Sequence, residues 1–449
     1  LSKRLITHNP NRLMRGQYRV TAPRRVKVFR SYLFLFNLVL AQFLFSCQGS
    51  KSTETVFPES QTPLSQECEN TKIDNEYIIQ WEDGRFQVLN SVLSQSEFID
   101  KYISSNLNDI RHVEYNKQLF ATINTAQTHS VVDDVPPSMW GQDIIHSSDL
   151  WSKNLTGEGV TVAVIDTQVD ISHPSLQNQV AINTQELEGK LGIDDDGNGL
   201  IDDVSGWNFF DQTPVTADPN LAHHHGTHVA GIIAAQALEQ APMRGVAPKS
   251  KILPITFLSS DGSGSVGGAL LGIQYAVQRK VQVINASWGG PNCSTLLEKA
   301  LSDLQSKDIL FVAASGNEGA NLDWVPSYPA SYQFDFMMTV AASRVTDLLA
   351  SFSNTSYHYV HIGAPGDDIY STVPYGKFAH LSGTSMAAPF VSGAVAVLKS
   401  AFPKATPLQI KNALLTGVDR KSYRVLSQGR LNLSKSYQEL STILSSNRP

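Results

Sequence analysis

Cysteine is scarce in this chain: Cys47, Cys68 and Cys293 are the three present in 449 residues. So few exclude a disulfide-stapled scaffold, none has the paired spacing of a zinc site, and at most one disulfide is possible. Basic charge is lacking as well. There are 35 Lys and Arg against 41 Asp and Glu, a formal net charge of −6, and the basic residues form no long run outside the N-terminus. That leaves no electrostatic footprint for nucleic acid. The apolar run at residues 32–45, interrupted by Asn37 and Gln42, falls short of the roughly 20 apolar residues a spanning helix needs. Preceded by Arg24, Arg25, Lys27 and Arg30, it reads as an export signal rather than a permanent anchor. What remains, 41% hydrophobic and 17% charged, describes a globular protein long enough for two or three domains.

Residues 48–71 are rich in Ser, Thr, Gln and Glu and contain two prolines, a composition too polar to pack, and read as a tether. A small α+β domain is expected over 72–134. Its elements are a strand at 77–81, a helix with Phe98, Ile99, Tyr102 and Ile103 on one face, and two strands within 110–123 broken near Asn116. Two aspartates and two prolines at 131–137 mark an exposed linker. Beyond it, apolar runs at 160–166, 251–255, 281–286, 309–314 and 338–342 alternate with helical patterns, including 266–278 and 296–304. Buried parallel strands in an α/β domain read this way. Residues 436–449 are left as a C-terminal tail. Leu44, Phe45, Ser46 and Cys47 resemble the lipobox of bacterial lipoproteins, which makes 1–47 a signal segment and Cys47 the lipidated residue holding the protein to a membrane.

Three segments carry chemistry. A strand of small and β-branched residues ends at Asp166 and Thr167, where open α/β sheets bind ligands, although an aspartate there also commonly ends a strand by forming a turn. His225 opens an apolar helix, amid His223, His224 and His228; the competing zinc reading lacks the glutamate of a His-Glu-x-x-His motif. Ser385 lies at a helix start after Gly383 and Thr384, where the dipole favours developing negative charge and where serine also serves as an ordinary N-cap. The acidic stretch 192–203, with Asp194, Asp196, Asn198 and Asp202, alternates oxygen ligands with glycine turns and suits calcium, or equally a solvated turn; Ser205 stands where an EF-hand loop ends in glutamate.

Together, in the order Asp, His, Ser, these segments resemble the subtilisin-like peptidases, or subtilases, over residues 138–435, with support from 245–248, 287–290, 315–319 and 429–432. The resemblance implies a doubly wound, mostly parallel sheet and a serine endopeptidase acting on proteins through an acyl-enzyme, and with the signal segment it is expected to be exported, extracellular or in the cell envelope. It assigns the triad to Asp166, His225 and Ser385 and the oxyanion-hole amide to Asn317. Ser287, Trp288, Gly289 and Gly290 become one edge of the substrate groove, and Ser263, Gly264 and Ser265 the other. No cofactor is implied for the chemistry, a structural calcium ion being the single candidate. The 72–134 domain is similar to the family's inhibitory prodomain, with its cut expected in the linker around 131–140. One departure stands out: Gln168 replaces the family's usual glycine, so a disturbed aspartate loop is expected.

Overall fold

The computed structural model describes residues 72–122, 139–239 and 242–446. The signal segment, Cys47, Cys68, the tether and most of the 131–140 linker therefore lie outside the described residues.

The small domain is built on β1 (Lys72–Trp81), β2 (Phe86–Asn90), a short helix α1 (Gln95–Phe98) and β3 (Ile110–Ala121), with β1 paired antiparallel to both β2 and β3. Ser94 and Glu97 start α1 with a reciprocal capping box, and the helical turns run on to Asn106. Phe98 stacks on Tyr77 at 3.9 Å and, with Ile79, Ile103 and Val113, closes a core of its own. Two expectations change here. A second strand precedes the helix, and 110–121 forms one strand, not two. Asn116 does not break it, because its amide is satisfied in place: Nδ2 donates to Glu76 at 2.8 Å and Oδ1 accepts from Gly267 N–H at 2.9 Å. Asn116 instead sits at the register shift in the β1-β3 pairing, two residues before Gln118 takes β8 of the large domain as partner.

The large domain has β4 (Thr161–Asp166), β5 (Trp207–Asn208), β6 (Thr213–Pro214), α2 (His224–Ala234), β7 (Lys251–Thr256), β8 (Ser263–Ser265), α3 (Val266–Gln278), β9 (Val283–Ala286) and β10 (Trp288–Gly289). There follow α4 (Thr295–Asp303), β11 (Leu310–Ala314), β12 (Met337–Ser343), β13 (Ile362–Pro365), the hairpin β14 (Ile369–Val373) and β15 (Lys377–Leu381), α5 (Thr384–Ala401), β16 (Asp419–Arg420) and β17 (Gly429–Arg430). The main sheet runs β16-β17-β13-β12-β11-β9-β4-β7-β5-β6, parallel throughout except at the β16-β17 and β5-β6 edges. Successive side chains of β4 serve two cores, as strand geometry requires. Val162 and Val164 pack with α2 and α5, while Ala163 and Ile165 pack with α3 and α4.

Chain order reverses at β4: β7 lies on one side of it, and β9 then β11 on the other. The crevice beyond the carboxyl end of β4 is therefore the topological switch point, where such sheets bind ligands. Asp166 is the last residue of β4. The expected tail is helical, since 433–446 forms a helix that buries Ser436 and Leu440. Among the described residues, no helix is long and apolar enough to cross a membrane.

Candidate active site

Asp166 is fully buried, and its Oδ1 accepts from Thr167 N–H at 2.7 Å and from His225 Nδ1 at 2.6 Å. The two elements meet this closely because Gly226 follows the histidine. A Cβ there would lie 2.2 Å from the Thr167 carbonyl oxygen, whereas glycine allows its own N–H to donate to Thr167 Oγ1 at 2.9 Å. His225 is thereby fixed with Nδ1–H toward the carboxylate, leaving Nε2 buried and without a hydrogen-bond partner.

The other histidines have structural duties. His223 caps α2, accepting from His225 N–H at 3.2 Å, and burial followed by His225 lowers its pKa to about 4. His228 donates from Nε2 to the carbonyls of Ile369 (2.9 Å) and Ala379 (3.1 Å), tying the β14-β15 hairpin to α2, and burial lowers it to about 3. Among the described residues, no histidine belongs to a metal-sized cluster. The expected disturbance at Gln168 is absent. Its backbone is not in the left-handed region, its carbonyl accepts from His223 N–H, and its side chain accepts from Asn208 at 3.2 Å.

Ser385 is the second residue of α5, fully buried, with a backbone N–H among those a helix start leaves without intrahelical partners. Pro389, four residues on, has no N–H to offer the Ser385 carbonyl. Ser287 Oγ fills that role at 2.9 Å. Asn317 is turned by its neighbours: Oδ1 accepts from Thr384 N–H (2.9 Å) and Thr384 Oγ1 (3.0 Å), so Nδ2 points the opposite way. The loop carrying it is pinned by Asn354, which donates to the Ser315 carbonyl and the Glu318 carboxylate and accepts from the N–H groups of Glu318 and Ala320.

The groove at this site is filled by the chain itself. β3 lies antiparallel between β8 and β10, with Leu119 opposite Gly264, Phe120 opposite Ser263 and Gly289, and Ala121 opposite Trp288. Every residue expected to edge the groove adjoins this strand or its end. Gly264 is where a side chain would fail, since a Cβ would come within 2.8 Å of the Phe257 carbonyl. Beyond β3, Thr122 N–H donates to the Ser287 carbonyl at 3.2 Å. The Thr122 carbonyl then accepts from Ser385 Oγ and from Asn317 Nδ2, each at 2.5 Å. Ser385 thus bonds to this carbonyl, to Thr122 Oγ1 and to the Ser287 carbonyl. A pocket of about 270 Å³ opens beside Thr122, walled by Gly289, Pro291, Ala320, Val325 and Pro326.

In the acidic loop the structure gathers a different set from the one expected. Carboxylate oxygens of Glu186, Asp196 and Asp203 lie within 4.8 Å of one another. Asp194 accepts from the N–H groups of Gly197, Asn198 and Gly199 and Asp202 from that of Gly192, while Glu186 also accepts from the N–H groups of Asp195, Asp196 and Asp202. The donor set is hard oxygen, as a divalent cation prefers. The amide nitrogens of Asn183 and Asn198 stand between Asp196 and Asp203, and a half-turn of each amide would present oxygen to a cation instead.

The profile of the subtilase family matches residues 157–434. The chain belongs to the subtilase family. It is similar to the major intracellular serine protease of Bacillus subtilis (strain 168), 38% identical over 276 residues that cover 61% of this chain and 78% of that protein. The alkaline protease of Shouchella clausii is 30% identical over 390 residues, 86% of this chain and 92% of that one. Subtilisin-like protease 1 of Plasmodium berghei (strain Anka) is 33% identical over 344 residues, 72% of this chain. The match spans 57% of the Plasmodium protein's length.

Sequence reasoning missed Asn354, Thr384 as the residue that turns Asn317, and Thr122. Thr384 adjoins the serine in a recognisable motif; Asn354 and Thr122 carry no local signal.

Proposed function

We propose that this chain is an exported, lipid-anchored serine endopeptidase whose residues 72–122 act as its inhibitor and its first substrate. One observation carries the reading: the Thr122 carbonyl lies against Ser385 Oγ, the nucleophile, and accepts from Asn317 Nδ2, the amide assigned to the oxyanion hole. Asp166 holds His225 with Nε2 free to take the Ser385 proton as Oγ attacks the Thr122 carbonyl carbon. Charge developing on the oxygen meets Asn317 Nδ2 and the Ser385 N–H. Collapse breaks the Thr122–Ile123 bond, the amine leaves with the proton from His225, and water then hydrolyses the acyl-enzyme. The cut thus falls upstream of the linker at 131–140.

Export is supported by the apolar segment after Arg30 and by the disulfide-bonded state of Cys293, which belongs to oxidising compartments. Anchoring rests on the lipobox-like sequence ending at Cys47. A structural calcium ion is read into the Glu186, Asp196 and Asp203 cluster, with no part in the chemistry. Sequencing of the processed wild-type protein should find Ile123 as the new N-terminus, and Ser385→Ala should accumulate uncut and without caseinolytic activity. Undiminished hydrolysis by that variant would sink the assignment.

A further inference from the structure

Cys293 is disulfide-bonded. The chain has two other cysteines, Cys47 and Cys68, and both precede Thr122. Whichever one is the partner, the bond joins the two sides of the cut proposed above.

The geometry around Cys293 selects between them. β1 begins at Lys72, which registers opposite Lys117 of β3. The Lys117 ammonium donates to the Cys293 carbonyl at 2.7 Å, so the chain enters β1 one strand spacing away from a lysine whose side chain reaches Cys293. Cys68 lies four residues before Lys72, and four extended residues reach about 13–14 Å. Cys293 also stands on the groove's rim, between β10, which pairs with Phe120 and Ala121, and Ser294, which caps α4 and donates to Glu114 of β3.

We propose that Cys293 is bonded to Cys68, and that this bond keeps the cleaved inhibitory segment tied across the groove until a dithiol reduces it. The proposal rests on the reading that the cut follows Thr122. A noncovalently held segment would leave by dilution. A tethered one faces the groove at an effective concentration on the order of millimolar, whatever the enzyme concentration. Release is thiol–disulfide exchange. A reductant thiolate attacks one cysteine sulfur, the other leaves as thiolate, and the reductant's second thiol resolves the mixed disulfide, giving two cysteine thiols and an oxidised reductant.

The pairing is tested on the wild-type protein by tryptic mapping without reductant, with free thiols alkylated. The peptide 52–72 should be found linked to 281–299; Cys293 alkylated, or linked to the peptide carrying Cys47, overturns the pairing. The tether is tested on processed enzyme in denaturing gels. The two pieces should migrate together without dithiothreitol and separate with it, and separation without reductant overturns the tether. A chain that stays whole in the reduced lane overturns the cut after Thr122 and the tether with it, while the map still decides the pairing. Activity gives a third readout. A 100-fold dilution should leave the specific activity of processed wild type unchanged and raise that of Cys68→Ser severalfold, and equal behaviour of the two overturns the inhibitory role of the tether.

Discussion

Asn317 is useful because its amide faces one way. Amide nitrogen and oxygen are nearly the same shape, so orientation must come from partners, and here both bonds to Oδ1 come from Thr384. Thr384→Val keeps the volume and the backbone N–H but removes the hydroxyl that also accepts from Gly316 N–H at 3.1 Å. Losing an oxyanion donor outright costs about 2.7–4 kcal/mol. Loosening its aim should cost less, so a fall of roughly tenfold in kcat with KM little changed is expected for Thr384→Val. A raised KM at constant kcat would instead show that Thr384 serves substrate binding. The difference between the residues that were legible and those that were not follows from the same physics. Asp166, His225, Ser385 and Asn317 sit in short motifs whose residue types the chemistry restricts. Asn354 organises the 315–320 loop from a distant loop, and nothing in its neighbours Phe352 and Ser353 announces that contact.

β3 is both a strand of the small domain and a peptide in the groove, and its burial pattern describes what the groove accepts. Leu119 is fully buried against the core that contains Trp288, Phe120 is 44% exposed, and Ala121 approaches Gly262, where an added Cβ would lie 3.3 Å from its own. Peptides patterned on Leu119-Phe120-Ala121-Thr122 should therefore be cleaved after the threonine. Burying a leucine side chain is worth about 1.5–3 kcal/mol, so replacing the leucine with aspartate should lower kcat/KM at least tenfold, and replacing the phenylalanine with lysine only a few-fold. Equal losses at both positions would show that β3 does not report the substrate preference. The double role also explains why sequence patterning split 110–123 into two strands: Asn116 and Lys117 are both buried at a register shift, just before β3 changes partner from β1 to β8 at Gln118. In the acidic element, a bound cation would stabilise the fold by mass action, about 2.7 kcal/mol at a hundredfold excess over its dissociation constant. Chelation should lower Tm by several degrees in wild type and leave Glu186→Gln unmoved; a persistent response in the variant would place calcium elsewhere. Spacing pointed to Asp194 and Asp202, but the loop fold gathers Asp196 and Asp203 instead. Glu186, outside the acidic run, approaches through the fold.

At the scale of the whole molecule, the alternating apolar runs made the α/β architecture legible, since strands buried on both faces need no partner to be recognised. The order of events was not legible, because it depends on which covalent links lie on each side of Thr122. If Cys47 is acylated as proposed, the acyl group would anchor the inhibitory segment, not the peptidase domain, so a cut after Thr122 alone would leave the enzyme on the membrane only noncovalently. A Cys68–Cys293 bond would hold it there. Processed wild-type enzyme in washed membranes should therefore stay sedimentable at high salt, and dithiothreitol without detergent should move the peptidase domain to the supernatant while the 47–122 segment remains behind. Cys68→Ser, once cut, should lose its peptidase domain to the supernatant when the membranes are washed and diluted, without reductant, and Cys47→Ala should be soluble throughout. A wild-type peptidase domain that leaves the membrane on cleavage without reductant would overturn this arrangement, as would one that dithiothreitol fails to release.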